Sequence, residues 1–240
     1  MIIFICIMKF ERYESRFKAG EILSKSIKET DLELYKDIIE NNEKYFCFAI
    51  PNGGVPVSEG FCSALNIKYD LLIVRKIKIP WNTEAGFGSV TTDGTILINE
   101  PLLKQLSLSE QELNNSINLT KDEIRERLEF YKKSKNLEDL YNQNIRNKNI
   151  FIIDDGLASG FTMLAAVKMI KKYTENVFIA IPTAPLRTVE TFNKQVKKIF
   201  CPNIKNVLQF AVADAYKKWY DLPDSEVKKI VESSKYYKSV

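Results

Sequence analysis

Apolar residues follow two rhythms along this chain. Short continuous runs at residues 45–50 (Tyr-Phe-Cys-Phe-Ala-Ile), 71–74, 149–153 and 177–181 show no polar alternation. Such runs suit strands covered on both faces, as in a parallel sheet. A shorter run at 199–201 reads as a fifth strand. Between these runs lie segments of helical period at 10–30, 32–41, 57–65 and 161–173, the last with Met163, Val167 and Ile170 on one stripe. Residues 106–133 read as a long polar helix or helix pair, and the aromatic tail 205–240 as partly helical. Residues 75–94 are rich in Pro, Gly, Asn and Thr, without a helical period. They form either a long loop or a hairpin ending at the Asp93-Gly94 turn, with 95–99 returning as an edge strand. Buried strands alternating with helices predict an α/β fold, an open parallel sheet flanked by helices.

The length of 240 residues suits a single domain. A chain this long buries roughly 70–75% of its unfolded surface and needs no metal or disulfide to fold. Thirty-five Lys and Arg against 31 Asp and Glu leave a net charge of +4, too mild to imply a nucleic-acid partner. The absence of histidine excludes Ser-His-Asp and Cys-His nucleophiles and all His-ligated metals. Cys6, Cys47, Cys62 and Cys201 form no C-x-x-C pair and read as inert reduced thiols of a cytoplasmic protein. Residues 1–8 are apolar but too short to span a bilayer, and they lack a basic flank and cleavage site. They read as an extra strand or a ragged end. No membrane contact is expected.

The sharpest chemical signal is residues 150–162, Ile-Phe-Ile-Ile-Asp-Asp-Gly-Leu-Ala-Ser-Gly-Phe-Thr. A buried strand delivers Asp154 and Asp155 to the rim of the sheet, where ligands of open α/β folds bind. The turn that follows offers backbone amides at a helix N-terminus and two hydroxyls, a cradle for an anion. The acids can hold hydroxyls or a hydrated Mg²⁺. Neither a Walker A loop nor G-x-G-x-x-G is present. Asp122 to Lys133 reads as a solvated helix face, and Tyr216, Trp219 and Tyr220 as packing.

This segment resembles the PRPP-binding motif of type I phosphoribosyltransferases, where PRPP is 5-phosphoribosyl 1-diphosphate. The likeness extends to residues 16–23, 50–57, 74–90 and 180–185, and so to most of the chain between 16 and 202. It is similar to a subfamily of unassigned acceptor. The resemblance implies one phosphoribosyltransferase-like domain over 1–240, with a core of about 40–203, a hood from about 9–30 and 204–240, and a flexible loop.

It further implies that Asp154 and Asp155 hold the ribose hydroxyls, directly or through Mg²⁺, and that Ala158, Ser159, Gly160, Phe161 and Thr162 bind the 5′-phosphate. Asn52, Gly53 and Gly54 belong to a pyrophosphate loop, in which relatives often use a cis peptide. Arg75, Lys76 and Lys78 open a loop that closes over pyrophosphate and also contains Glu84 and Gly88. Thr183 and Ala184 fall where an acceptor base packs. Two departures stand out. Asn52 replaces the usual Arg or Lys, and Ala158 replaces the aspartate of purine-salvage relatives, which argues against a 6-oxopurine. The implied activity is Mg²⁺-dependent transfer of the phosphoribosyl group of PRPP to an unidentified acceptor, a nitrogenous base. The sequence does not give the oligomeric state, for which a homodimer is the usual default. Two alternatives stand beside it: a PRPP- or nucleotide-binding regulator without turnover, and, more weakly, another phosphate-handling enzyme that uses the acid pair.

Overall fold

The computed structural model describes residues 11–133 and 137–239. The expectation for residues 1–8 and the Cys6 thiol lie outside them. Two helices open the described chain, α1 (Arg16–Thr30) and α2 (Leu32–Glu40), each started by a side-chain cap. Ser15 accepts from the Lys18 amide and Asp31 from that of Leu34, meeting donors the first turn leaves unpaired. Strand β1 (Tyr45–Ala49), helix α3 (Gly54–Leu65) and strand β2 (Tyr69–Leu71) follow. A three-stranded antiparallel sheet comes next, built from β3 (Val74–Ile79), β4 (Asn82–Thr91) and β5 (Ile96–Ile98).

The chain continues through α4 (Glu100–Leu106), α5 (Glu110–Phe130) and α6 (Leu137–Asn144) to β6 (Asn149–Ile153) and α7 (Phe161–Ile170). The C-terminal part holds β7 (Val177–Ala180), β8 (Thr183–Pro185), α8 (Leu186–Phe192), β9 (Lys198–Phe200), β10 (Asn203–Lys205) and α9 (Asp224–Ser233).

The central sheet is parallel, in the order β2-β1-β6-β7-β9. All of β1 is buried, as the continuous apolar run requires. Its successive side chains divide between two cores, since neighbours on a strand point to opposite faces. Tyr45, Cys47 and Ala49 join Leu23, Ile27, Val57, Phe61 and Val227 on one face. Phe46 and Phe48 join Met163, Val167 and Tyr141 on the other. Helices α1 and α3 touch backbone to backbone at Gly20, where a Cβ would lie 2.0 Å from the Val57 carbonyl oxygen. The N- and C-terminal segments meet, with Tyr13 bridged to Tyr216. Among the described residues no helix is long and apolar enough to cross a membrane.

Several boundaries differ from the sequence reading. The run 71–74 is not one strand. Pairing with β1 ends at Leu71, and Val74 opens β3 in the second sheet, so a single buried run serves two sheets. Residues 75–94 form a hairpin that turns at Pro80 and Trp81, whereas Asp93-Gly94 turns β4 into β5. The stretch 106–133 holds one long helix, α5, which starts at a Ser109–Glu112 capping box; the separate α4 lies before it and ends at Ser107, whose backbone is left-handed.

Candidate active site

Strand β6 ends at Ile153 and places Asp154 and Asp155 at the C-terminal rim of the sheet. Strand β1 ends beside it, and the Ile50 amide donates to the Ile153 carbonyl at 2.9 Å. The segment 51–54 therefore turns directly over the acids, with a cis peptide between Pro51 and Asn52. A Cβ on residue 53 would lie 1.9 Å from Asp155 Oδ2, so only glycine lets the loop approach this closely. Asp154 Oδ1 accepts from the Asp155 amide at 2.8 Å.

A third element closes on the pair. Arg16, at the start of α1, is only 7% exposed and donates from Nε to Asp155 Oδ2 at 2.8 Å. Its guanidinium lies 4.1 Å from the Trp219 ring, with Tyr216 and Tyr220 at 5.7 and 5.6 Å. Nη1 donates to the Tyr220 carbonyl, and the Tyr216 hydroxyl donates to the Asp155 carbonyl at 2.6 Å. The aromatic tail expected to serve as packing is thus a cage for a cation. Burial, and next the neighbouring Asp155, push Asp154 well above the usual carboxylate range. Burial also raises Asp155, against the opposing effect of Arg16.

Beyond the acids the chain bends into residues 156–160. The Leu157 amide bonds to the Thr183 carbonyl, and the Thr188 hydroxyl donates to the Ala158 carbonyl at 2.8 Å. Gly160 is left-handed, with φ 78°, and α7 starts behind it without a side-chain cap. Ala158 and Ser159 open onto a hollow of about 480 Å³ that Arg187, Thr188 and Thr191 also line. Gly160, Phe161 and Thr162, at the helix start, are not among the residues that line this hollow.

A second, larger cleft of about 610 Å³ is lined by Arg75, Lys76 and Lys78 of β3, by Glu123, Glu126, Arg127 and Phe130 of α5, and by Asp224 of α9. Asn52 joins it to the acid pair. Its Nδ2 donates to the Leu222 carbonyl at 2.7 Å and to Asp224 at 2.9 Å, while its Oδ1 accepts from Arg127 at 3.2 Å. Lys78 pairs with Glu123 at 2.7 Å, and Lys76 donates to the Glu84 carbonyl.

The structure thus brings Asn52, Gly53 and Gly54 onto Asp154 and Asp155, and places Arg75, Lys76 and Lys78 together in the cleft that Asn52 borders. Thr183 and Ala184 do not face open space: both are fully buried, and Thr183 is hydrogen-bonded to Asn203. Gly88 is a packing position, since a Cβ there would meet Ile77, Leu97 and Ile98 within 3 Å. The stretch 122–133 is only partly a solvated face: Lys133 forms a buried ion pair with Asp70, and three of its charges line the cleft. Arg16, Arg127, Asp224 and Arg187 escaped the sequence reading. Only Arg16 left a signal there, as the first residue of the stretch 16–23.

Among the described residues no cluster of three or more acidic or cysteine side chains is preassembled for a metal. Mg²⁺ commonly takes only one or two carboxylates and completes its shell with water and substrate oxygens. The two adjacent carboxyls have one ion-pair partner among the described residues, Arg16, which bonds Asp155. The acid pair therefore fits a divalent cation that arrives with its ligand.

Comparison with known proteins places this site in context. In Mycobacterium tuberculosis a protein called "Putative phosphoribosyl transferase Rv0571c" is 27% identical over 179 residues, which cover 74% of this chain and 39% of that protein. The strain CDC 1551 counterpart matches equally. This chain thus matches well under half the length of those relatives. The crystal structure of TT1426 from Thermus thermophilus shares the fold, with a TM-score of 0.66 at 22% identity, covering 92% of this chain and 97% of that one. The model of the phosphoribosyl transferase domain matches residues 18–218, from within α1 past the acid pair and its loop to just beyond Tyr216, and the chain belongs to that family.

Proposed function

We propose that this chain binds PRPP with Mg²⁺ and transfers its phosphoribosyl group to a nitrogenous base, releasing pyrophosphate. The observation that carries this reading is the contact of Gly53 with the Asp155 carboxylate. It sets the turn of residues 51–54 directly against an acid pair at a sheet rim, so that a sugar on the acids brings its diphosphate to the turn.

Asp154 and Asp155 accept hydrogen bonds from the ribose 2′- and 3′-hydroxyls. Residues 158–162 bind the 5′-phosphate through amides and the Ser159 and Thr162 hydroxyls. Arg75, Lys76 and Lys78 face the diphosphate. Breaking the anomeric C–O bond leaves positive charge on the sugar and negative charge on the leaving group, so placement and charge neutralisation do most of the work. Mg²⁺, when bound, neutralises diphosphate oxygens and fixes their position. Arg16 under Trp219 and Tyr220 covers one side of the acids and keeps water from the sugar. Ala158 brings no carboxylate toward the base.

Calorimetry with PRPP and Mg²⁺ tests the reading. The chain should bind saturably, and Asp155→Asn, which keeps an acceptor for Arg16, should bind at least tenfold more weakly. Absence of heat in the unaltered chain, or equal affinity in the variant, refutes it. A second reading has its own motivation: the Asn52 amide is engaged by Leu222 and Asp224 and is not free to donate to a ligand. Saturable binding without pyrophosphate release, across a panel of bases, would favour a PRPP-binding regulator.

A further inference from the structure

We propose that Arg127, carried on α5, supplies the positive charge that the 51–54 loop lacks at Asn52 and binds the pyrophosphate end of the ligand. The inference rests on the phosphoribosyl reading of the site and names a ligand residue outside its loops. Three observations converge on it.

First, Asn52 cannot do the work of a cation. Both Nδ2 hydrogens are committed to Leu222 and Asp224, and its oxygen accepts from Arg127. The side chain that replaces a basic residue instead holds one in place.

Second, Arg127 is anchored yet keeps donors to spare. Its hydrogen bonds to Asn52 at 3.2 Å and to Asp224 at 2.8 Å both leave from Nη1. The Tyr131 side chain is a further hydrogen-bond partner of the guanidinium, so about two of its five N–H donors remain, and the side chain, 23% exposed, lines the 610 Å³ cleft. A guanidinium so fixed, with donors left over, is preorganised for two phosphate oxygens. Asp224 is in turn held by Asn52 and Tyr131, so the anchor is itself positioned.

Third, the cleft has donor capacity that the protein leaves unused. Nη2 of Arg75 is buried without a hydrogen-bond partner among the described residues. Lys78 is neutralised by Glu123, and Lys76 is tied to the Glu84 carbonyl. The wall carries four cations against three carboxylates, Glu123, Glu126 and Asp224, so its overall field is nearly balanced. Individual guanidinium hydrogen bonds, from Arg75 and Arg127, therefore decide whether an anion binds.

The competing view is that Arg127 only docks α5 to α9. Calorimetric titration of pyrophosphate with Mg²⁺, and separately of ribose 5-phosphate, distinguishes the two. Ribose 5-phosphate reaches the acids and residues 158–162 but has no group for the cleft. The variants are Arg127→Gln and the double variant Arg127→Gln/Asp224→Asn, which leaves no unpaired carboxylate. Pyrophosphate affinity should fall at least tenfold in both, with ribose 5-phosphate affinity within twofold of the unaltered chain. Pyrophosphate affinity within threefold in the double variant overturns the inference. Equal loss of both ligands also overturns it, because a structural role would weaken them together. If the unaltered chain binds ribose 5-phosphate but not pyrophosphate, the inference falls and the sugar site stands. If it binds neither, the phosphoribosyl reading falls and takes the inference with it.

Discussion

The carboxyl of Asp154 lies at a strand end beside a second carboxyl, and burial and that neighbour both favour its protonated form. Its pKa in the fold stands above the ordinary 3.8. The stability this confers is complete below the ordinary value and is lost as pH rises through the raised one. Asparagine mimics the protonated acid at every pH. Without Mg²⁺, Asp154→Asn should therefore be more stable than the unaltered chain by about 1 kcal/mol at pH 8, with the gap closing toward pH 4. Urea unfolding at the two pH values measures this, and a variant less stable at pH 8 contradicts it. The same variant should lose PRPP affinity, since binding sites commonly trade stability for charge. These acids were legible because they are sequence neighbours after an apolar run. Arg127 was not, and of Arg16 only its place in the stretch 16–23 showed, because their partners lie 75 and 139 positions away and a charged side chain carries no local mark of them.

The β3–β4–β5 sheet shows how an element acquires its place. The Asp93 carboxylate accepts from the Thr95 amide and from the Thr91 and Thr95 hydroxyls, which fixes the turn between β4 and β5. Its other oxygen accepts from Lys172 and Tyr173, which ties that turn to the end of α7. Burial would raise this carboxyl, but the bonds from Thr95, Thr91 and Lys172 outweigh it and hold the group below 3.8. The stabilisation is present above the ordinary carboxylate range and is lost as pH falls through the lowered value. Asp93→Asn should cost about 1–3 kcal/mol at pH 7, and the difference should shrink steadily below pH 4 in chemical unfolding. A gap independent of pH would show that packing, rather than charge, sets the cost. Gly20 offers a steric test, since a methyl at that position enters the Val57 carbonyl. Gly20→Ala should lower stability by about 2–4 kcal/mol, read by thermal melting. Four of the five parallel strands were legible from unbroken apolarity, whereas the run 71–74 misplaced β2, and β4 was obscured by Gly86 and Gly88, which pair with Lys78 and Ile77 in a bulged register and left a long loop as the other reading.

At the scale of the whole molecule, the proposed site draws on segments spread from Arg16 in α1 to Asp224 in α9. A ligand that bridges them should stabilise the chain as a unit. At a hundredfold excess over Kd, PRPP with Mg²⁺ should add about 2.7 kcal/mol. For a chain of this size that is a rise in Tm of about 5–10 °C. Differential scanning should show it in the unaltered chain and at most about half of it in Asp155→Asn at the same concentration; an equal shift in both would place the ligand elsewhere. The parallel sheet, the acid pair and the glycine-bearing bends were determined by the sequence alone, because a strand buried on two faces must be apolar and a strand-end turn is local chemistry. Which charges face the cleft, which aromatics cage Arg16, and that Asn52 holds a guanidinium rather than a ligand were decided only by tertiary structure. A charged or aromatic side chain reads the same in sequence whether water or another element lies opposite it.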